Sequence, residues 1–498
     1  MRILTGMLIS LTVALVAPAA PPPSDKITGP LVASENPNYF KDANGAVLIL
    51  NGSQTWNTLQ DWGTNGSVQI LDFRAYVNFL TVHGHNLTLL WRTEMPKFCG
   101  LPTTVSNPPE FWVGPHPWRR TGPGNATDGG LKFDLTKFDQ GYLDRLRART
   151  EALRNAGIYV GVYLFTGEWL KSFRCSSDGH PFTGANNING IDDGYTSGNS
   201  GVGSITMTAP DAMTRFQDAY VEKVIDTLND LANVLWVVSE ESIASSTWWN
   251  DHHISHIRAY ESKKLHQHPI GYGTISGTPD TTMYNSDADW VKPHVRISPV
   301  KSCGNGKPAC KVNVNDSDHS YFGMWNETPQ QNRNYAWENF MTGNQVLFMD
   351  PYVVYYPRQG RNLCVSPTKG ICSAPDSRWE NFRDNLGYIL RYSSRLYLAR
   401  VTPQESLCSA KYCLAQTPSV GAEYLAYAPS GGSFTMNLSA MSASRRLAVE
   451  WFNPSTGATI VGNSIRAGSS SQSFTPPFTG DAVLYLVDTT GHATSARR

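Results

Sequence analysis

The sequence predicts a TIM-type (β/α)8 barrel followed by a small all-β sandwich. Three observations carry that reading. From about residue 40 to 400, short apolar runs alternate with helical patterns, as parallel α/β architectures do. Many of those runs end in acidic or aromatic residues, at positions that converge on one face of a closed barrel. From about Ser406 the pattern changes to period-2 segments such as Leu447-Ala448-Val449-Glu450-Trp451 and Ala482-Val483-Leu484-Tyr485-Leu486, with Gly- and Ser-rich connections.

The elements follow in order. Ala46 to Leu50 reads as the first strand, running into Asn51-Gly52-Ser53, and Asp72 to Gly84 as a helix stopped by its glycine. Asn86 to Leu90 is a second strand ending in Trp91-Arg92-Thr93-Glu94, and a long Pro- and Gly-rich loop continues to about Asp134. Helix Tyr142 to Gly157 leads into strand Ile158 to Phe165, which ends in Thr166-Gly167-Glu168-Trp169. Helix Pro210 to Leu231 precedes strand Val234 to Val238, ending in Ser239-Glu240-Glu241. Helix His253 to Leu265 and strands near Pro269 to Thr274 and around Trp290 come next. Lys311 to Asn315 ends in Asp316-Ser317-Asp318-His319, Gln345 to Met349 ends in Asp350-Pro351, and helix Ser377 to Leu396 closes the barrel.

The N-terminus has the form of a secretory signal. Arg2 is followed by a mostly apolar run, Leu8 to Val16, and by Ala17-Pro18-Ala19-Ala20 as a cleavage site. The expected organisation is therefore a signal peptide over 1–20, a barrel over 21–404 and a sandwich over 405–498, in a secreted, extracellular protein. No later stretch is long enough for a membrane span. Eight cysteines fit an oxidising compartment, and Cys303/Cys310, Cys364/Cys372 and Cys408/Cys413 are close pairs, with Cys99 and Cys175 left over. Lysine plus arginine and aspartate plus glutamate both total 41, so charge gives no case for nucleic acid or an acidic membrane surface. The 14 Trp and 22 Tyr favour a carbohydrate partner, because such rings stack on sugars as well as filling cores.

Positions just past the strand ends collect Trp56, Arg92, Glu94, Glu168, Glu240, Glu241, Asp316, Asp318, His319 and Asp350. Glycoside hydrolysis needs a protonated acid at the leaving oxygen and a second carboxylate facing the anomeric carbon, and this set supplies both. A single strand-end acid is more often a helix cap or an ion-pair partner. Adjacent Glu240 and Glu241 after a buried strand weigh towards function, and strand alternation points the two opposite ways. Trp56, Trp169 and Trp325 are sugar-platform candidates against an even alternative of packing.

These residues resemble a known family. Asn233-Val234-Leu235-Trp236-Val237-Val238-Ser239-Glu240-Glu241 is similar to the fourth strand of clan-A glycoside hydrolases, which commonly ends in Asn-Glu. Asn36 to Tyr39, Gly52-Ser53-Gln54-Thr55-Trp56, Phe133-Asp134-Leu135, Asn315 to His319 and Phe348-Met349-Asp350-Pro351-Tyr352 resemble the apiosidase-like barrel proteins. Glu450-Trp451-Phe452-Asn453-Pro454 and Phe474 to Phe478 resemble the small domain that often follows that barrel and is labelled collagen-binding. The resemblance spans nearly the whole mature chain. It implies Glu241 as general acid/base, with Glu240 in place of the usual asparagine. Asp316 or Asp318 stands where the clan has a strand-seven glutamate nucleophile. It further implies a pectic, apiose- or other furanose-containing polysaccharide as substrate, and a matrix or glycan contact through the tail.

The expectation is a glycosidase without cofactor. Glu241 and Asp316 or Asp318 are catalytic, and Trp56, Arg92, Glu168, Glu240, His319, Trp325 and Asp350 bind substrate. The competing class is a non-catalytic carbohydrate- or matrix-binding barrel. A secreted metalloprotease would need His252-His253-Ile254-Ser255-His256 to hold zinc, but this segment lacks the glutamate a zincin places beside its first histidine, and histidines on an exposed helix are more often ordinary, so no metal is expected. No G-x-S-x-G segment and no dinucleotide fingerprint occurs.

Overall fold

The computed structural model describes residues 27–64, 66, 68–99, 110–167, 170, 179–194, 201–293, 311–317, 328–350, 352, 377–418 and 421–489. Eight parallel strands close a barrel: β1 (Gly52–Gln54), β2 (Leu87–Leu90), β3 (Tyr159–Tyr163), β4 (Val234–Val237), β5 (Ile270–Tyr272), β6 (Trp290–Val291), β7 (Val312–Asp316) and β8 (Gln345–Met349). Each pairs with its neighbours in chain order, and β8 returns to β1. The helices are α1 (Phe73–Val82), α2 (Gln140–Asn155), α3 (Ala212–Leu228), α4 (Thr247–Glu261), α5 (Thr281–Asn285), α6 (Pro329–Met341) and α7 (Ser377–Ser393).

Alternation along the strands divides two cores. Leu89, Trp91, Tyr159, Tyr163, Leu235, Val237, Trp290, Val312, Val314 and Leu347 pack together inside the barrel. Val160, Val162, Val234, Trp236, Ile270 and Val291 face outward onto the helices. The helix starts are capped as the sequence allows. The Asp72 and Asp139 side chains accept from Ala75 N and Tyr142 N, and capping boxes join Asp211 to Thr214 and Thr328 to Gln331.

Asparagines stitch the strand starts together. Asn51 Oδ1 accepts from Val346 N at 2.9 Å, and Asn86 both accepts from Asn51 N at 2.9 Å and donates to Ile49 O at 2.8 Å. Asn233 donates to Ile158 O at 3.0 Å, and Asn313 to Asn344 at 3.1 Å. The bonds of Asn51, Asn86 and Asn233 satisfy backbone groups at the end of the barrel away from the strand C-termini, a place associated with stability.

Two segments differ from expectation. The apolar run Ala46 to Leu50 is not the first barrel strand. Its Val47–Leu48 joins a small antiparallel sheet with Phe40–Lys41, and the barrel strand is the Gly52-Ser53-Gln54 that follows. The reason is close approach: a Cβ on Gly52 would lie 1.9 Å from Leu87 O, so only glycine admits β2 at this seam. The long Pro- and Gly-rich stretch before Asp134 is not loop throughout. Asp61–Thr64, Glu110–Gly114 and Lys97–Cys99 form one antiparallel sheet, and Trp118–Asn125 pairs with Leu131–Phe138.

The tail is all β. Thr402–Pro403 (β9), Tyr412–Gln416 (β10), Glu423–Ala428 (β11), Arg446–Asn453 (β13), Ala458–Arg466 (β14) and Ala482–Asp488 (β16) form a six-stranded sheet ordered β9-β10-β11-β16-β13-β14. Phe434–Met436 (β12) pairs with Gln472–Phe474 (β15), and their Phe434 and Phe474 pack with Trp451 and Leu484 of the large sheet. Cys408 and Cys413 form a disulfide, as their spacing predicted. Cys303, Cys310, Cys364, Cys372 and Cys175 lie outside the described residues, as does the segment 1–20.

The tail's other face continues the barrel's core. Trp337 of α6 stacks on Tyr427 at 5.9 Å and lies 5.8 Å from Phe452, and Phe382, Leu386 and Ile389 of α7 belong to the same cluster as Leu425, Phe452 and Tyr485. Polar bonds frame it. Arg333 donates to both oxygens of Asp481, and Arg395 does the same to Glu450. Among the described residues, no helix is long and apolar enough to cross a membrane.

Candidate active site

The candidate site is built where β3 to β7 end. Tyr163 is the last inward side chain of β3, and it stacks on Trp91, just past β2, at 4.2 Å and 5°. Lys292 follows β6 immediately and points inward, as Trp290 does two residues earlier. Its ammonium donates to Tyr163 Oη at 2.6 Å and to Glu240 Oε2 at 2.5 Å, and stands 2.8 Å from Asp316 Oδ2 at the end of β7. Thr274, just past β5, donates to Glu240 Oε1 at 2.9 Å, and the Tyr163 hydroxyl also donates to Glu240 Oε2.

Two carboxylates from strands four and seven thus meet on one buried cation. Their oxygens stand 2.5 and 2.8 Å from Lys292 Nζ, so one ammonium bridges the two carboxylates. Burial alone would pull the Lys292 ammonium down, but Asp316 and Glu240 outweigh it and hold it charged far above the ordinary lysine range. Burial, reinforced by Glu240, pushes the Tyr163 phenol well up, which keeps it a donor. In these bonds with Tyr163, Thr274 and Lys292, Glu240 is the acceptor, so none of them uses a proton of its own.

Glu241 stands differently. It is half-buried, and its φ of 45° puts a non-glycine residue in the left-handed region directly after the acid that faces inward. Two glycines admit this turn. Gly167 donates to Glu240 O at 2.9 Å and a Cβ there would lie 2.4 Å from Ser242 Cα, while a Cβ on Gly273 would lie 2.0 Å from Ser239 O. Asn250 of α4 braces the turn from behind by accepting from Ser239 Oγ at 2.9 Å and donating to Ser242 Oγ at 3.0 Å.

The other predicted residues divide. Arg92 is fully buried beneath Tyr220, Phe165 and Trp118, with Tyr220 nearest at 4.2 Å, and lies 3.8 Å from Glu94. Burial raises the Glu94 carboxyl against the pull of Arg92, and Thr166 fixes both its oxygens. Both oxygens of Asp350 accept from Arg383 of α7, one from Nε at 2.8 Å and the other from Nη2, which ties strand eight to the closing helix. Trp56 is half-buried and stacks on Trp62 at 6.2 Å and 13°. Glu168, Asp318, His319 and Trp325 lie outside the described residues, as does Trp169.

Sequence reasoning missed Lys292, Tyr163 and Thr274. Lys292 was within reach, since it directly follows Trp290-Val291, but a two-residue strand carries too little periodicity to fix its end.

Comparison with known proteins adds three findings. Residues 403–487 match a family model described as "Putative collagen-binding domain of a collagenase". A crystal structure of a glycoside hydrolase family 5 protein from Bacteroides vulgatus superposes with a TM-score of 0.60 at 14% identity, over 94% of this chain and 95% of that one. A second structure, titled glycoside hydrolase, gives 0.57 at 13% identity, over 93% and 97%. The likeness to both is one of fold. No curated protein matches the sequence.

Proposed function

We propose that the protein is a secreted glycosidase that hydrolyses O-glycosidic bonds in a complex polysaccharide. The observation that carries this reading is the meeting of Glu240 and Asp316, from the ends of strands four and seven, on buried Lys292. The signal-like N-terminus and the glycoside hydrolases that share the fold support it. Pectic side chains bearing apiose or another furanose are the substrate class favoured by the motif resemblance.

In the proposed reaction Glu241 gives its proton to the leaving glycosidic oxygen as the bond to the anomeric carbon breaks. It suits this role because it lies at the half-exposed rim, whereas Glu240 already accepts from three donors. Asp316, paired with Lys292 at 2.8 Å, faces the anomeric carbon, and water adds its hydroxyl there while its remaining proton passes to a carboxylate of the site. Glu240 and Tyr163 form the polar floor against which the sugar is held. The tail gives a contact to matrix or glycan.

A screen of reducing-sugar release on defined plant and bacterial polysaccharides tests the proposal. The wild type is expected to act on at least one, Glu241→Gln and Asp316→Asn to lose about 100-fold or more in kcat, and NMR of the first product anomer to report the stereochemistry. A folded wild type inactive on every glycan sinks it. The same Lys292 contact favours a second reading, a carbohydrate-binding barrel whose inner acids are only an ion-pair lock. Binding of a glycan without turnover would select that one.

A further inference from the structure

Helices α3 and α4 flank strand β4 on the outside of the barrel, and five metal-ligand side chains meet between them. Asp218 Oδ1 lies 2.9 Å from His252 Nε2, 3.5 Å from His253 Nδ1 and 3.9 Å from His256 Nδ1. The other nitrogen of His256, Nε2, is 3.2 Å from Glu222 Oε1. Among the described residues, Asp218, His252 and His253 are the group whose ligand atoms all fall within 4.8 Å of one another.

We propose that this cluster is a binding site for a divalent transition metal of the zinc type, held by Asp218, His252 and His253. Zinc bonded at about 2.0–2.1 Å to tetrahedral ligands sets them roughly 3.3 Å apart, and the 2.9 and 3.5 Å from Asp218 to His252 and His253 bracket that edge. His252 and His256 share a helix face at i and i+4, so both reach the same neighbour on α3. Two imidazoles and one carboxylate suit zinc, cobalt or nickel, whereas calcium and magnesium take oxygen ligands.

The alternative is a set of ordinary hydrogen bonds between two helices, which His252 and Asp218 would satisfy alone. His253 decides against it. It is fully buried among Phe165 and Trp249, yet neither ring nitrogen has a hydrogen-bond partner, and its Nδ1 is turned towards Asp218. Buried polar atoms are nearly always partnered, so an unpaired imidazole aimed at a carboxylate points to a ligand. With a carboxylate from α3 and two imidazoles from α4, the ion clips one helix to the other. Asn250 of α4 holds the turn that carries Glu240 and Glu241, so the clip steadies that turn.

The test uses the tag-free full chain, stripped with a chelator. One Zn²⁺ per chain is expected to bind with Kd below about 1 μM, raising Tm by roughly 2–4 °C. Co²⁺ should give the visible absorption of a tetrahedral nitrogen site, and Ca²⁺ should give no shift. Asp218→Asn and His252→Gln are expected to weaken Zn²⁺ about 100-fold. X-ray absorption of the zinc-loaded wild type should show imidazole scattering, a readout that needs no variant to fold. No saturable Zn²⁺ binding by folded wild type, a metal shell without imidazole, or unchanged affinity in both ligand variants would overturn the proposal.

Discussion

Lys292 Nζ stands 2.8 Å from Asp316 Oδ2, although the two belong to adjacent strands and point into a core that is otherwise aromatic and aliphatic. The same ammonium is 2.5 Å from Glu240, so one positive charge serves two buried negative ones. Removing it as Lys292→Met leaves both carboxylates uncompensated. The expected result is a loss of roughly 3–5 kcal/mol in urea unfolding and of about 100-fold or more in kcat. Lys292→Arg should not restore activity, because a planar fork cannot meet a phenol and two carboxylates as a compact ammonium does.

Glu241 separates stability from activity. Its φ of 45° costs an ordinary side chain free energy that glycine does not pay. Glu241→Gly is therefore expected to be neutral or up to about 1 kcal/mol more stable than wild type while losing hydrolysis, and Glu241→Gln to lose hydrolysis with unchanged stability. Paired urea melts and rate assays check this. A Glu241→Gly protein that is less stable and fully active would remove the residue from the mechanism.

Acid sensitivity should come from histidines as well as carboxylates. Burial lowers His85, His116 and His180 from the ordinary 6.5 to about 3. Between those values the unfolded chain holds protons that the folded chain refuses. Stability from these groups is complete above about pH 6.5 and falls as pH drops towards 3, by at most about 1.4 kcal/mol per pH unit for each. Urea midpoints at pH 7.5 and 5.0 should differ accordingly, and His85→Gln should reduce the slope between them.

Arg333 reports on the union of barrel and tail. Its guanidinium lies in a buried bidentate pair with Asp481, joining helix α6 to the residue just before strand β16. Arg333→Met should cost about 3–5 kcal/mol and broaden or split the calorimetric transition, since Asp481 is left charged inside the junction. A single unshifted transition would show that the apolar contacts alone join the two parts.

Architecture was legible where periodicity ran long. Helices α1, α2 and α3 appear within a few residues of their caps because Asp72, Asp139 and Asp211 stand at their starts. Strands β3, β4, β7 and β8 appear because buried parallel strands read as apolar runs. Strand β1 was hidden, because a glycine beside another backbone has no apolar side chain to show. Of the candidate site, Glu240, Glu241 and Asp316 could be named from strand ends. What holds them could not. Tyr163 reads as core, and Lys292 follows a strand of two residues. The cluster around Asp218 was half visible, since His252 and His256 show helical spacing while the carboxylate that both face comes from another helix.

The seam between Trp337, Phe452 and their neighbours has a consequence for how such chains can be assembled. A module on a tether can be cut out and joined to an unrelated enzyme, because its surface is finished on every side. This tail's surface is unfinished where α6 and α7 meet it. Grafted elsewhere, it would bare Leu425, Phe452 and Tyr485 to water and stick to whatever came near, so a working exchange would have to carry the outer faces of both helices with it.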